Sequence, residues 1–370
     1  MHQKTAIVCV TNNLLTDRRA HKHCKMLILK GYNVKLVGRN WPKIQMDNRE
    51  YTFKRFHLLI NKGPLFYAIY NVRLFFYLLT TPCHLVIAND LDTLLGSYLA
   101  GVLKKFKLIY DAHEYFTGVP EIQNKKWVKH IWCLLEKLIL PNIHCCITVN
   151  QSIAQLYKQR YNKEFKVIHN IPMLSDFPTK QKSRKDLGLN EDDFIVILQG
   201  AGININRGAE ELIESMQFTD PKVKLIILGA GDVWNNLQEL VYKLNLSHKV
   251  KLINKLPYHE MIQYTYNANL GVSLDKPGNA NYDNSLPNKL FDYLFCEIPV
   301  LASQLRELNR FIYRYEVGLT IPTIEPESIA NGIHYFLYNT AFYLIAKQNT
   351  VKVKSELCWE KEYKQIEEWL

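Results

Sequence analysis

The sequence has 370 residues, 48% of them hydrophobic and 22% charged, which excludes wholesale disorder and sets an expectation of two domains. Its 16 glycines and 14 prolines exclude a collagen-like or linker-dominated chain, and no run of about 18 uncharged apolar residues predicts a membrane-spanning helix. The net charge of +11 is uneven: residues 1–170 hold 25 Lys and Arg against 10 Asp and Glu, and the remainder 21 against 25. The basic first part therefore either faces an anionic partner (an acidic membrane surface, a phosphorylated ligand or nucleic acid) or is a plain Lys-rich solvated surface.

In chain order, TAIVCVT from Thr5 is β-branched and bounded by Asn12 and Asn13, so it reads as a buried strand. A helix is predicted over 18–29, ended by Gly31, and NVKLVG from Asn33 is the next strand. Further strands are expected at HLVIAN from His84, KLIYDAH from Lys107, CCITVN from Cys145 and FKVIHN from Phe165, with helical patterns between most of them. A polar stretch from Ser175 then interrupts the rhythm. It restarts with FIVILQG from Phe194, a helix near 208–216, KLIILGAG from Lys224, KVKLINKL from Lys249, LGVSL from Leu270 and IPVLAS from Ile298. The chain closes on an amphipathic segment, CWEKEYKQIEEWL. Strand–helix alternation of this kind predicts α/β architecture with doubly wound parallel sheets. The expected domains are 1–170 and 171–370, the terminal helix of the second packing back on the first. The apolar stretch of the N-terminus is too short for a secretory leader, and none of the eight cysteines forms a C-x-x-C pair, so a cytoplasmic protein is expected.

Ligands of open parallel sheets bind beyond the carboxyl ends of the strands, so residues just after strands are the candidates. Three stretches qualify. In NSLPNKLFDYLFCEIPVLAS from Asn284, Ser285 and Pro287 open a helix whose free N–H groups suit phosphate. Lys289 and Asp292, three apart, share one helical face; Lys289 can pair with phosphate while Asp292 accepts ribose hydroxyls, or the two are a plain surface ion pair. In LQGAGININRGAEELIESM from Leu198, Gly200 and Gly202 allow close backbone approach and Arg207 can meet a phosphate. The spacing fits neither a Walker A loop nor the dinucleotide fingerprint. In YDAHEYF from Tyr110, His113 follows a strand and can donate to a sugar hydroxyl or shuttle a proton, or merely hydrogen-bond; Glu114 and Glu121 are carboxylates for an acceptor.

Together, in this order and over nearly the whole chain, YDAHEYF, the Arg-Gly after a Gly-rich strand end, LGAGD from Leu228 and SLPNKLFDYLFCEIPVLAS resemble the family 4 glycosyltransferases. TDRRAHKHCKMLILKGYNVKLVG from Thr16 resembles their first strand–helix–strand, with Asp17 and Arg19 at matching places. The resemblance implies the GT-B fold, two Rossmann-like domains facing a cleft. It implies retaining transfer from a nucleotide-diphosphate sugar to a glycan or lipid-linked glycan, of the kind that builds bacterial surface polysaccharide, with no cofactor and no obligatory metal. Carried over, His113 matches a histidine that contacts the donor sugar, Arg207 a diphosphate-binding cation, and Asp292 the second acid of a Glu–seven residues–Glu motif. Asn284 replaces the first acid, Asn12-Asn13 replaces a glycine-rich turn, and Lys289 compensates for a basic residue without a clear match. The implied sites are thus catalytic His113, Arg207 and Lys289; donor-binding Gly200, Gly202, Asn284, Ser285, Leu286 and Asp292; and acceptor-side Asn12, Asp17, Arg19, Glu114 and Glu121.

Two aromatic or basic stretches remain. GPLFYAIYNVRLFFYLL from Gly63 reads as a helix packed on the sheet, whereas KKWVKHIWCLLEKLIL from Lys125 fits either sheet packing or interfacial membrane binding. The sequence thus reads as a cytoplasmic glycosyltransferase peripheral to the cytosolic face of the inner membrane. The alternatives are a non-catalytic scaffold of the same fold, a sugar-nucleotide epimerase, and a nucleic-acid-binding protein suggested by the pI near 9.1. No helix-turn-helix or RNA-binding signature supports the last, so no nucleic acid is expected as partner.

Overall fold

The computed structural model describes residues 3–15, 17–43, 45–123, 125–178, 180–278 and 280–370, with the backbone alone at 120, 121 and 280. Two units emerge: Met1–Asn170 with Trp359–Leu370, and Ile171–Cys358.

The first unit runs β1 (Thr5–Cys9), α1 (Arg18–Leu29), β2 (Asn33–Arg39), β3 (Thr52–Phe56), α2 (Gly63–Thr80), β4 (Leu85–Asn89), α3 (Leu91–Lys104), β5 (Lys107–Ala112), α4 (Pro120–Gln123), α5 (Lys126–Ile139), β6 (Cys145–Thr148), α6 (Gln151–Tyr161) and β7 (Lys166–Val167). The strands form one parallel sheet in the order β3-β2-β1-β4-β5-β6-β7. β1 is an interior strand, pairing Ala6 with Val34 on one side and Leu85 on the other. A strand covered on both faces needs apolar side chains at every position, which is why AIVC reads as a continuous run. β3 was not anticipated: TFKRF is an edge strand with one paired side, and its Thr, Lys and Arg carry no apolar run.

One face of this sheet is covered by α2, α3, α5 and α6. Ile7, Cys9 and Val86 pack under Phe66, Tyr70 and Leu74 of α2, and Ala88, Tyr110 and Cys146 under Leu94 of α3, Trp132 and Ile139 of α5 and Ile153 of α6. Side chains alternate along a strand, so Asp111, next to Tyr110, points to the other face, where α1 lies.

The second unit runs β8 (Phe194–Gly200), α7 (Ala209–Ser215), β9 (Val223–Gly229), α8 (Trp234–Lys243), β10 (Val250–Asn254), α9 (Tyr258–Tyr266), β11 (Leu270–Ser273), α10 (Ala280–Asp283), α11 (Asn288–Phe295), β12 (Val300–Ser303), α12 (Arg306–Tyr315), β13 (Gly318–Ile321), α13 (Pro326–Tyr338) and α14 (Thr340–Glu356). Its parallel sheet has the order β10-β9-β8-β11-β12-β13. α11 is pinned by Tyr293, whose hydroxyl shares its one proton between the carbonyls of Ile197 (3.2 Å) and Val272 (3.1 Å) and accepts from the Gln199 N–H (3.2 Å). Gly271 makes room for that ring: a Cβ there would stand 2.3 Å from it.

The last twelve residues, beginning with α15 (Trp359–Tyr363), belong to the first unit. Trp359 is fully buried, its ring 5.3 Å from that of His23 and 5.2 Å from the Arg19 guanidinium on α1.

Candidate functional site

In each sheet the strand order reverses once, between β1 and β4 in the first unit and between β8 and β11 in the second. The crevice at such a reversal is where open α/β sheets bind ligands. Both reversals carry a cluster of charged side chains.

In the second unit, Arg207 stands in the loop after β8. Gly208 follows it at φ +71°, where a Cβ would lie 2.4 Å from the Leu274 carbonyl oxygen, so only glycine lets this loop approach the end of β11. The Lys276 N–H donates to the Asn206 carbonyl (2.9 Å) and holds the loop there. The guanidinium of Arg207 reaches Asp275 Oδ1 (3.4 Å) and the Tyr282 hydroxyl (3.5 Å), and lies 4.8 Å from the Tyr282 ring centre. Its buried Nε has no hydrogen-bond partner. Lys289 sits in the first turn of α11, where burial and the Arg207 charge lower its pKa against the opposing pull of Asp275. Two cations thus face one carboxylate at a helix N-terminus, an arrangement that favours an added anion.

Other residues expected at the donor side are placed differently. Asp292 is only 4% exposed, and its oxygens accept from Gln199 Nε2 (3.1 Å) and the Tyr258 hydroxyl (2.7 Å). Gln199 in turn accepts from Thr265 Oγ1 (2.5 Å). A carboxylate one methylene shorter than Glu stays among these partners, so the structure gives Asp292 a role in orienting Tyr258 and Gln199 rather than that of an open ribose acceptor. Ser285 donates its hydroxyl proton to the Tyr282 carbonyl (3.2 Å), and Leu286 is a core residue, so Leu286 can meet a ligand only through its backbone. Asn284 is buried. At Gly200 and Gly202 a Cβ would make only ordinary van der Waals contact, with no atom closer than 3.7 Å, so crowding does not demand glycine at either position. Crowding instead falls on Gly229 and Gly231, where a Cβ would lie 1.8 Å from the carbonyl oxygens of Gly200 and Ile203.

In the first unit, Thr11, Asp90, Asp92 and His113 gather where β1, β4 and β5 end, above the buried Asp111. The His113 ring has an acceptor on each nitrogen: Asp90 Oδ2 at 3.3 Å from Nδ1, and Asn89 Oδ1 at 3.0 Å and Asp111 Oδ2 at 3.3 Å from Nε2. Its backbone N–H also donates to Asp90 Oδ1 (2.9 Å). Burial alone would lower its pKa, but the Asp90 and Asp111 carboxylates outweigh it and raise it to about 9. His113 is therefore a fixed imidazolium at neutral pH. Asp92 shows the reverse: burial and the neighbouring Asp90 push it up to about 8, with Thr11 Oγ1 at 2.5 Å.

This predicts an alkaline transition. A cation whose pKa is raised from 6.5 contributes stability that is complete below 6.5 and is lost as pH rises through about 9. An acid raised to about 8 holds its proton only when folded, so its effect has the same sign. The first unit should lose denaturant resistance across this range, and the His113 ring signal in NMR should titrate near 9. Titration near 6.5 would contradict the assigned contacts.

Three acceptor-side expectations require correction. Arg19 is 2% exposed and grips Asp111 with Nε (2.7 Å) and Nη2 (2.8 Å), while Nη1 donates to the Ile168 carbonyl (2.9 Å). His23 lies against the same carboxylate, Nε2 at 2.7 Å, and burial lowers its pKa, so it is the neutral partner. Although burial opposes it, the Arg19 charge holds the Asp111 carboxyl well below the usual range. Arg19 therefore braces the floor beneath His113 and does not face an acceptor. Asp17 is the N-cap of α1, accepting from the Ala20 N–H (2.9 Å) and from Asn12 Nδ2 (2.7 Å). Asn12 Oδ1 accepts from the Leu14 N–H (2.9 Å), so both side chains shape the loop after β1. Glu114 is half-buried next to His113, and the Glu121 side chain lies outside the described residues. Asp275, Asp90 and Asp92 were missed, although Asp275 and Asp90 fall directly after predicted strands and Asp92 two residues further on, where the strand-end rule would have found them.

Residues 179–353 match the family model described as glycosyl transferases group 1. A protein named as a glycosyltransferase, EpsD of Bacillus subtilis (strain 168), is 29% identical over 241 residues, 61% of this chain and 59% of its own length. The chain thus spans under two thirds of that relative. Among solved structures, sucrose-phosphate synthase from Thermosynechococcus elongatus superposes with a TM-score of 0.82 at 18% identity, covering 99% of this chain and 98% of that one. Anabaena HepE in complex with UDP and glucose superposes at 0.74 and 16% identity, covering 99% of each. The chain therefore has the GT-B fold, and its residues 179–353 are similar to the glycosyl transferases group 1 family.

Proposed function

We propose that the protein transfers a sugar, with retention, from a nucleotide-diphosphate sugar to a glycan or lipid-linked glycan in surface polysaccharide assembly. The donor is assigned to the 171–370 region and the acceptor to 1–170. The observation that carries the reading is the Arg207–Asp275–Lys289 cluster at the β8/β11 reversal, two cations against one carboxylate inside the matched domain.

Chemically, the sugar C1–oxygen bond to the diphosphate breaks and its electron pair goes to the leaving oxygen. Arg207, Lys289 and the α11 N-terminus oppose the charge that develops there, a preorganised role that strengthens towards the transition state. The acceptor oxygen bonds to C1 from the same face, and its proton passes to the departing phosphate oxygen. The loop of Gly200 and Gly202, where no side chain intervenes, lets backbone approach the donor. His113 supplies a fixed positive charge on the first unit, which suits a sugar hydroxyl or a phosphate. These roles call for no metal and no other cofactor.

A thermal-shift panel of nucleoside diphosphates and their sugars tests the reading, since a ligand bound only by the folded chain raises its melting temperature. A shift with one nucleoside diphosphate supports it; a panel without any shift at saturating ligand removes the donor assignment.

A further inference from the structure

We propose that the outer face of α2, α3 and α5 is a docking surface for an anionic lipid membrane. The inference rests on surface geometry and is independent of the glycosyltransferase reading.

α5 buries Trp132, Glu136 and Ile139 against the sheet. Its opposite side carries Trp127, Ile131, Leu134 and Leu138, between 46% and 83% exposed. Spacings of four, three and four put these on one stripe along the helix. A soluble helix places such a stripe inward; here a second one points to solvent. α2 repeats the pattern, burying Phe66, Tyr70, Leu74 and Leu78 while exposing Leu65, Val72 and Phe76. α3 exposes Leu99, Val102 and Leu103.

The three stripes adjoin. α3 packs against both α2 and α5. Asn71 of α2 accepts from the Gly96 N–H of α3 (2.9 Å), at a point where a Cβ on Gly96 would stand 2.5 Å from the Asn71 carbonyl oxygen. Tyr67 of α2 meets Trp132 of α5 edge to face at 5.4 Å. The patch ends at α6, the next helix of the layer, which exposes Gln151, Gln155 and Lys158. Exposed apolar side chains grouped on three neighbouring helices differ from the single scattered ones that every surface carries, and such grouping marks an interaction surface.

Charge selects the occupant. The only carboxylates on these helices, Asp92 and Glu136, are buried. Arg73, Lys105, Lys126 and Lys137 are exposed around the apolar stripes. A second copy of the chain, apposed through the same face about a two-fold axis, would bring this basic rim against itself. An anionic lipid headgroup layer instead pairs with the cations while the apolar stripes and the Trp127 ring enter the interface. No helix among the described residues is long and apolar enough to cross a membrane, so the contact is peripheral.

The test is flotation of the full chain with vesicles of phosphatidylglycerol and phosphatidylethanolamine, and with vesicles of phosphatidylcholine alone. The wild type should float with the anionic vesicles, be released by salt, and stay behind with the neutral ones. Trp127→Ser combined with Ile131→Ser removes the insertion, and Lys125→Gln, Lys126→Gln and Lys137→Gln together remove charge. Lys129 is omitted because it donates to Gln123 Oε1 (2.6 Å). Each variant should reduce anionic-vesicle recovery by about tenfold or more, with an unchanged circular-dichroism spectrum. Wild type left behind by anionic vesicles at low salt overturns the proposal. So does equal flotation of all three proteins, or a concentration-dependent dimer in sedimentation that the Ser variant abolishes. Because the readout is vesicle binding, failure here leaves sugar transfer untouched.

Discussion

Replacement of Arg207 by alanine is expected to lower donor turnover by about two to four orders of magnitude, the range seen when a preorganised group facing developing charge is removed. The guanidinium is held from two sides, by Asp275 at 3.4 Å and by the Tyr282 hydroxyl at 3.5 Å, over the Tyr282 ring. It needs little reorganisation at the moment of bond breaking. Its side chain is 29% exposed and no core cluster includes it, so the variant should fold. Lysine should recover only part of the loss, since an ammonium lacks the planar fork that meets two oxygens at once. Steady-state kinetics with matched melting temperatures checks this. Near-normal turnover by a well-folded alanine variant would remove Arg207 from the chemistry.

The second large effect is on stability. Arg19→Ala should destabilise the first unit by about 3–5 kcal/mol, the usual cost of stranding one member of a buried ion pair. Asp111 is fully buried, and after the substitution its remaining close partners are His23 and His113. Burial lowers the pKa of His23, so forcing a proton onto it to replace the lost charge is itself unfavourable. The ring of Trp359, 5.2 Å from the Arg19 guanidinium, would also lose a packing partner. Urea denaturation read by tryptophan fluorescence measures the change. A shift below about 1 kcal/mol, the worth of an exposed pair, would show that Asp111 is not held as described.

These two arginines show what the sequence could and could not convey. Arg207 follows a strand end and precedes a helix, so local pattern alone puts it at the end of the sheet where such folds bind ligands. Arg19 also sits near a strand end, but its partner lies 92 residues away and its helix turns it inward; no local pattern carries that. The same holds for Asp292, engaged by Gln199 at a separation of 93 and Tyr258 at 34. Parallel-sheet architecture was legible because β1, β4, β8 and β9 are covered on both faces and read as unbroken apolar runs. The edge strands β3 and β13 were not, since one open side relaxes that demand. For α5 the amphipathic pattern was visible, but which of its faces meets the sheet follows only from Trp132 and Glu136 being buried while Trp127 is exposed.

Release of nucleoside diphosphate from a nucleotide sugar by the purified chain tests the central claim most directly, because it requires the Arg207–Lys289 cluster to stabilise a leaving diphosphate. Uridine, guanosine and adenosine diphosphate sugars should be offered in turn, with and without a glycan acceptor. The account predicts slow release from one nucleotide class without acceptor, acceleration when a suitable acceptor is added, and loss of both in Arg207→Ala. Tight binding of a nucleoside diphosphate with no release from any sugar derivative, under any acceptor, would contradict it and leave a ligand-binding protein of the same fold.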